Sequence, residues 1–185
     1  MSAALKVLKY ELEDVRRSRG VLAYTMLLLC ATEALLRFNG DAGKTLLSLL
    51  SVVVLVVPLV SLLFALQLLG QRPAPGGYLF VDDLNVVFVV LATFVGFTTS
   101  AFSASYIAYE LESGRLTQRY LRFYHAMYQM LMFAMNLALV ANNIGLMWVA
   151  IELATLTTVA MVGIYRTHAA LEAAWKYFIL GSVGI

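Results

Sequence analysis

Five stretches of this chain are apolar for long enough to be considered as membrane spans: 21–38, 45–70, 86–109, about 120–141 and about 144–165. A sixth begins near Ala169 and runs to Ile185. A span needs about 20 predominantly apolar residues, because the hydrocarbon layer is about 30 Å thick and a helix rises about 1.5 Å per residue. The sixth run has about 17 residues, or about 26 Å of helix. Composition agrees. Of the 185 residues, 62% are hydrophobic and 13% charged, whereas a soluble domain has about 25% charged residues. The expected class is therefore all-α: a polytopic transmembrane helix bundle of about five to six spans in a cell inner or plasma membrane. Strand alternation is missing, which argues against a barrel.

The start of the chain reads differently. In MSAALKVLKYELEDVRRSRG, Leu5, Leu8, Leu12 and Val15 recur at helical spacing. Lys6, Lys9, Glu13, Arg16 and Arg17 lie off that stripe. This pattern fits an N-terminal amphipathic helix lying in the membrane interface; a solvated helix packed on a partner is the alternative. A mixed-charge start without a small-residue cleavage site does not read as a cleavable signal. The first span, 21–38, is short and carries Glu33; Cys30 within it reads as a packing residue. The second contains Pro58, an expected kink. GQRPAPGGY, at 70–78, holds two prolines and three glycines and cannot continue a helix. It divides the chain into 1–70, a junction at 71–77, and 78–185.

Charge bias exposes a conflict across that junction. Lys6, Lys9, Arg16, Arg17 and Arg19 put the N-terminus in the cytoplasm, and two spans would return the chain there. Arg115, Arg119, Arg122 and Arg166 make 110–122 and 166–168 cytoplasmic as well, so the third span should begin outside, near Asp82 and Asp83. Either one early segment does not cross, or the two parts did not originate as one membrane protein.

The polar residues inside the apolar runs carry the chemistry. Arg119, Arg122, His125, Gln129, Asn136 and Asn143 fall near one face of the fourth span. Lipid offers no hydrogen-bond partner, so this face should turn into the bundle. His125, Gln129, Asn136 and Asn143 are a candidate polar path, or residues that join helices; His125 also suits the interface. Tyr120, Tyr124 and Tyr128 step by four, as an interfacial aromatic belt does. Glu152 stands in the middle of NNIGLMWVAIELATL, where an ionised carboxylate costs at least about 2.5–3.5 kcal/mol. It needs a partner, water or a bound proton. Lys176 lies nine residues beyond the capping Thr167, about 13 Å deep, and Glu152 thirteen residues before Tyr165, about 19 Å deep. Antiparallel neighbours would bring acid and base to similar depth. Desolvation favours their neutral forms and proximity their charged forms, so the pair could switch a proton; a static ion pair is the alternative. No motif for catalysis, metal, cofactor or nucleic acid stands out.

From about Tyr78, the segments YLFVDDLNVVF and YHAMYQMLMFAMNLALVANNIGLMWVAIELATLTTVAMVGIYRTHAALEAAWKYFILGSVGI closely resemble the antiporter-like membrane subunits of hydrogenase-4-type and formate hydrogenlyase complexes. These are relatives of proton-pumping subunits of respiratory complex I and of multisubunit cation/proton antiporters. The resemblance implies that Glu152, in WVAIELATL, and Lys176, in EAAWKYFILGS, are proton-transfer residues. It also implies other membrane subunits and a peripheral redox module as partners, with no redox chemistry in this chain. The family's buried charges continue through later broken helices that are missing here, so no net proton transport is expected from these 185 residues alone. Residues 1 to about 70, with LKVLKYELEDVRRSRGVLAYTMLLLCATEALLRFNGD and LVVPLVSLLFALQLLG, resemble an ABC-2-type permease start of the kind associated with nitrous oxide reductase maturation. A permease fragment, or a hybrid membrane protein without transport activity, is thus the competing expectation.

The arginine distribution makes a topological prediction. A cysteine introduced at Ser113 should react with an impermeant reagent from the cytoplasmic side, and one at Asp82 from the opposite side; the reverse pattern would invert the orientation.

Overall fold

A computed structural model of the chain describes residues 43–69, 74–75 and 78–184. The expected interfacial helix at 1–20, the span at 21–38 with Cys30 and Glu33, and most of the junction lie outside the described residues. Among the described residues five α-helices follow one another: α1 (Gly43–Leu68), α2 (Asp83–Glu112), α3 (Gln118–Val140), α4 (Ile144–Val162) and α5 (His168–Gly184). Pro58 sits inside α1, whose helix continues past it. Between α1 and α2, Ala74–Pro75 (β1) pairs antiparallel with Phe80–Val81 (β2), a minimal ladder. A 3-10 turn, Gly163–Tyr165, joins α4 to α5.

Local chemistry sets the boundaries. Asp82 and Asn85 form a reciprocal cap at the start of α2: the Asp82 Oδ1 accepts from the Asn85 N–H at 2.8 Å, and the Asn85 Oδ1 accepts from the Asp82 N–H at 2.7 Å. The Asn85 amide also donates to the Phe80 carbonyl at 2.8 Å, which anchors β2 to the helix. The α2–α3 connection passes through Gly114 at φ +71°, a left-handed turn that suits glycine. At the other end of α3, the Asn142 N–H donates to the Tyr78 carbonyl at 2.8 Å, and Leu79 bridges to Ala141. The start of α2 and the α3–α4 turn therefore share one end of the bundle. Tyr106 and Tyr165 meet through their hydroxyls at 3.2 Å, so the arginine-bearing connections share the other.

Each helix packs against its successor. Near the Asp82 end, Ala65 of α1, Val86 and Val89 of α2 and Val140 of α3 form one buried cluster. Val57, Tyr128 and Met132 form a second, which carries α1 onto α3. Ile107, Leu121, Ala126 and Ile164 form a third near the arginine end. Residues on either side of the 71–77 junction thus pack together. In lipid such contacts gain little from apolar burial and depend on close packing and polar bonds between helices. The approach of α2 to α3 illustrates this. Gly96 lets the Met132 thioether lie against its backbone, and the Tyr128 hydroxyl donates to the Gly96 carbonyl at 2.6 Å.

Two described segments, Asp83–Ser103 and Ile144–Tyr165, are long and apolar enough to cross a membrane; Leu55–Leu68 is apolar but shorter. Only 28% and 22% of those two segments is buried within the chain. Leu91, Phe94, Val95, Val149 and Leu156 face outward. A core helix of a water-soluble protein would hide most of such a surface; these faces match a hydrocarbon surrounding. The wider expectation of five to six spans reduces, among the described residues, to these two by length and composition.

The Gly96 contact can be tested. Gly96→Val should lower stability in detergent by about 1–3 kcal/mol through overpacking, read from the midpoint of denaturant unfolding. Gly96→Ala should cost less, since a methionine side chain can swing. A valine variant as stable as the parent would argue against the close approach.

Candidate functional site

The polar face of α3 is buried. His125, Gln129, Met132 and Asn136 recur at helical spacing on one side and are all nearly inaccessible, Gln129 completely so. The Asn136 amide donates to the Met132 carbonyl at 2.7 Å. Both amide atoms of Gln129, and Nδ1 of His125, lack a hydrogen-bond partner among the described residues. A buried amide left this way carries a desolvation penalty of about 1–3 kcal/mol. Unpaired polar atoms along α3 are also the places where an ordered water would be most stabilising.

Asn143 departs from the sequence expectation. Helix α3 ends at Val140, and Asn143 is the exposed N-cap of α4. Its Oδ1 accepts from the Gly145 and Leu146 N–H groups at 2.9 and 3.2 Å. Its capacity is spent on the helix end, so it does not continue the buried face of α3. The tyrosines also differ from a belt of interfacial rings. Tyr128 bonds to Gly96, and the Tyr124 hydroxyl accepts from Ser103 Oγ at 3.1 Å. Tyr120 lies beneath the Arg166 guanidinium, 5.2 Å from ring centroid to Cζ. All three step along α3 toward protein partners.

Glu152 is half-buried on α4 and its Oε1 accepts a hydrogen bond from Ser182 Oγ of α5 at 3.1 Å. Nearby, a Cβ at Gly181 would come within 2.9 Å of the Thr155 Cγ2, and Gly163 backs onto Ala174. These pairs define the antiparallel register of α4 and α5. In it Lys176 stands level with Val159 and Ala160, about 10–12 Å along the helix from Glu152. The structure does not join the two as an ion pair. Lys176 Nζ instead contacts Glu172 Oε1 at 2.6 Å, one turn away on the same exposed face. Sequence counting placed acid and lysine at similar depth, about 19 and 13 Å; the packing of α4 on α5 puts Ser182, not Lys176, level with the acid. Thr167 does cap α5, its Oγ1 accepting from the Ala170 N–H at 3.1 Å.

Counting along α3 and α4 from their shared turn brings Glu152 level with Met132, between Gln129 and Asn136. Their faces differ: Glu152 and Thr155 turn toward α5, whereas Met161 joins the Tyr128 and Met132 cluster.

A second acid escaped the sequence reading. Glu110, at the end of α2, is almost fully buried, with Arg115 Nη1 at 3.3 Å from its Oε1 and the Tyr165 hydroxyl at 3.5 Å from its Oε2. Its signal was available: Ser103, Ile107 and Glu110 share helical spacing and one buried face.

Comparison with known proteins gives two relatives. The chain is 63% identical over 121 residues to a hydrogenase-4 component F homolog of Methylacidiphilum infernorum, covering 65% of this chain and 25% of the relative. It is 28% identical over 115 residues to NADH-quinone oxidoreductase subunit N 2 of Thermodesulfovibrio yellowstonii, covering 62% of this chain and 24% of the relative. The chain spans about a quarter of the length of these curated relatives. No family model and no solved structure matches it. Both relatives support the antiporter-like resemblance; neither supports a permease likeness for 1–70.

The cap assigned to Asn143 has a measurable consequence. Asn143→Ala should destabilise the bundle by about 0.5–2 kcal/mol, while Asn143→Asp should largely preserve it. Unfolding midpoints in detergent separate the two; equal losses would remove the cap from the account.

Proposed function

We propose that this chain is a membrane subunit, or a fragment of one, of a redox-driven proton-translocating complex of the hydrogenase-4 or NADH-quinone oxidoreductase type. The observation that carries the reading is the 63% identity over 121 residues to a protein named for hydrogenase-4, in a chain with a carboxylate midway along an apolar helix. The chain itself does no redox chemistry in this reading. Electrons pass through a peripheral module, and other membrane subunits complete the ion route in the inner or plasma membrane. Besides α2 and α4, the reading has α3 and α5 crossing the bilayer. Helix α3 is long enough at about 34 Å, and its polar face is hidden inside.

Glu152 is the proton-carrying group. A carboxylate at this depth of an apolar helix is costly when ionised and unpaired, so it needs a hydrogen-bond donor, a countercharge or a proton. Ser182 supplies a donor to the ionised form. Lys176, bonded to Glu172, acts on Glu152 through space or water. Its ammonium can change partner only if α5 shifts or the lysine side chain releases Glu172. Gln129, Asn136 and His125 line a route in α3 that needs water to be continuous. The competing reading of an ABC-2-type permease fragment has no relative in its favour.

Glu152→Gln preserves shape and hydrogen bonding but removes titration. In the assembled complex in proteoliposomes, it should abolish proton transfer, followed with an enclosed pH-sensitive dye, while subunit stoichiometry stays normal. Lys176→Ala should slow transfer and leave assembly intact. Proton transfer indifferent to Glu152→Gln would sink the role given to this residue.

A further inference from the structure

At the arginine end of the bundle, α3, α4 and α5 frame an open groove of about 800 Å³. Its mouth carries Arg119 and Arg166, and the rest of its wall is almost wholly apolar, including Phe123, Leu156, Trp175 and Phe178. We propose that this groove seats an acidic phospholipid, with the phosphate between the two arginines and an acyl chain running along α4 and α5.

Charge argues for the headgroup. Among the described residues neither arginine is paired with a carboxylate: Glu110 is taken by Arg115, and Glu172 by Lys176. Arg166 adopts a left-handed backbone conformation, φ 52°, in the link between α4 and α5. Its guanidinium is steadied over the Tyr120 ring, leaving its N–H edge for an anion. The capped N-terminus of α5 adds its partial positive charge beside it. Basic pockets between membrane helices at the cytoplasmic face are suited to anionic headgroups.

Length argues for the chain. From Arg166, Leu156 lies ten residues back along α4 and Phe178 twelve residues on along α5, so the apolar wall extends about 15–18 Å from the charges. One leaflet of the hydrocarbon layer is about 15 Å deep. Trp175 is largely exposed in this wall and packs edge-to-face on Phe178 with centroids 6.0 Å apart. A free phosphate would leave that wall unused, and an apolar protein helix would leave both guanidinium groups unanswered. This site stands apart from the Glu152 reading: it needs the bundle in a bilayer, not proton transfer.

The test uses the full chain with Trp148→Phe, so that Trp175 is the remaining tryptophan. It is reconstituted in phosphatidylcholine vesicles containing a minor fraction of acyl-brominated lipid, either phosphatidylglycerol or phosphatidylcholine. Bromine quenches a tryptophan it touches. Two arginines should enrich the acidic lipid locally on the order of tenfold, so brominated phosphatidylglycerol should quench Trp175 well beyond the brominated phosphatidylcholine. Arg119→Gln with Arg166→Gln should remove the difference, leaving quenching by phosphatidylcholine unchanged. If that double variant loses helix content by circular dichroism, each single variant should still reduce the preference. Equal quenching by the two lipids in the parent would overturn the proposal, as would a preference undiminished in the variants. That outcome would mean that bulk lipid or protein covers the groove.

Discussion

In hydrocarbon a backbone N–H or C=O has no water to bond, so a span must satisfy its backbone within its own helix. Its polar side chains must then find either that same backbone or a neighbouring helix. Both solutions occur here. Ser61, Thr93, Thr155 and Thr157 return their hydroxyls to carbonyls four residues earlier. Tyr128, Tyr124 and Ser182 instead reach across to another helix. The cross-helix bonds orient α2 on α3 and α4 on α5, because apolar contact alone is no more favourable between helices than with lipid.

The exceptions to that satisfaction are informative. Gln129 is wholly enclosed with neither amide atom bonded among the described residues. A purely structural helix would gain by having leucine there, since an unpaired buried amide is costly. The arginine end has a different character. There Glu110 is held by Arg115 and Tyr165, and Arg166 by Tyr120, so the charges are locked to the helix ends.

Tight links between helices convert local capping into long-range register. Asn143 starts α4 immediately after α3 ends, and Thr167 starts α5 just beyond a single 3-10 turn. A shift of one residue in either link would move every facing pair by about 1.5 Å and rotate the helix by about 100°. Thr155 could not then lie against Gly181, nor Ser182 against Glu152. The separation of Lys176 from Glu152 is thus a property of the connection rather than of either residue.

The amino-acid sequence by itself determined the helical class, the breaks between described helices, the cap at Thr167, and the inward turn of His125, Gln129 and Asn136. These follow from periodicity, local hydrogen bonding and the poor solvation of polar groups in lipid, all of which act over a few residues. It also singled out Glu152, whose position in an apolar run is a one-dimensional fact. Which side chain meets that carboxylate was decided only by tertiary structure. Depth counted from a helix end left Lys176 about 6 Å short of Glu152, and the packing of α4 on α5 brings Ser182 to the acid instead. Likewise Asn143 matched the α3 face by spacing, yet the helix had already ended and the next one claimed its side chain. Glu110 and the groove beneath Arg119 and Arg166 depend on residues far apart in the chain, which only the packing of α2 through α5 brings together.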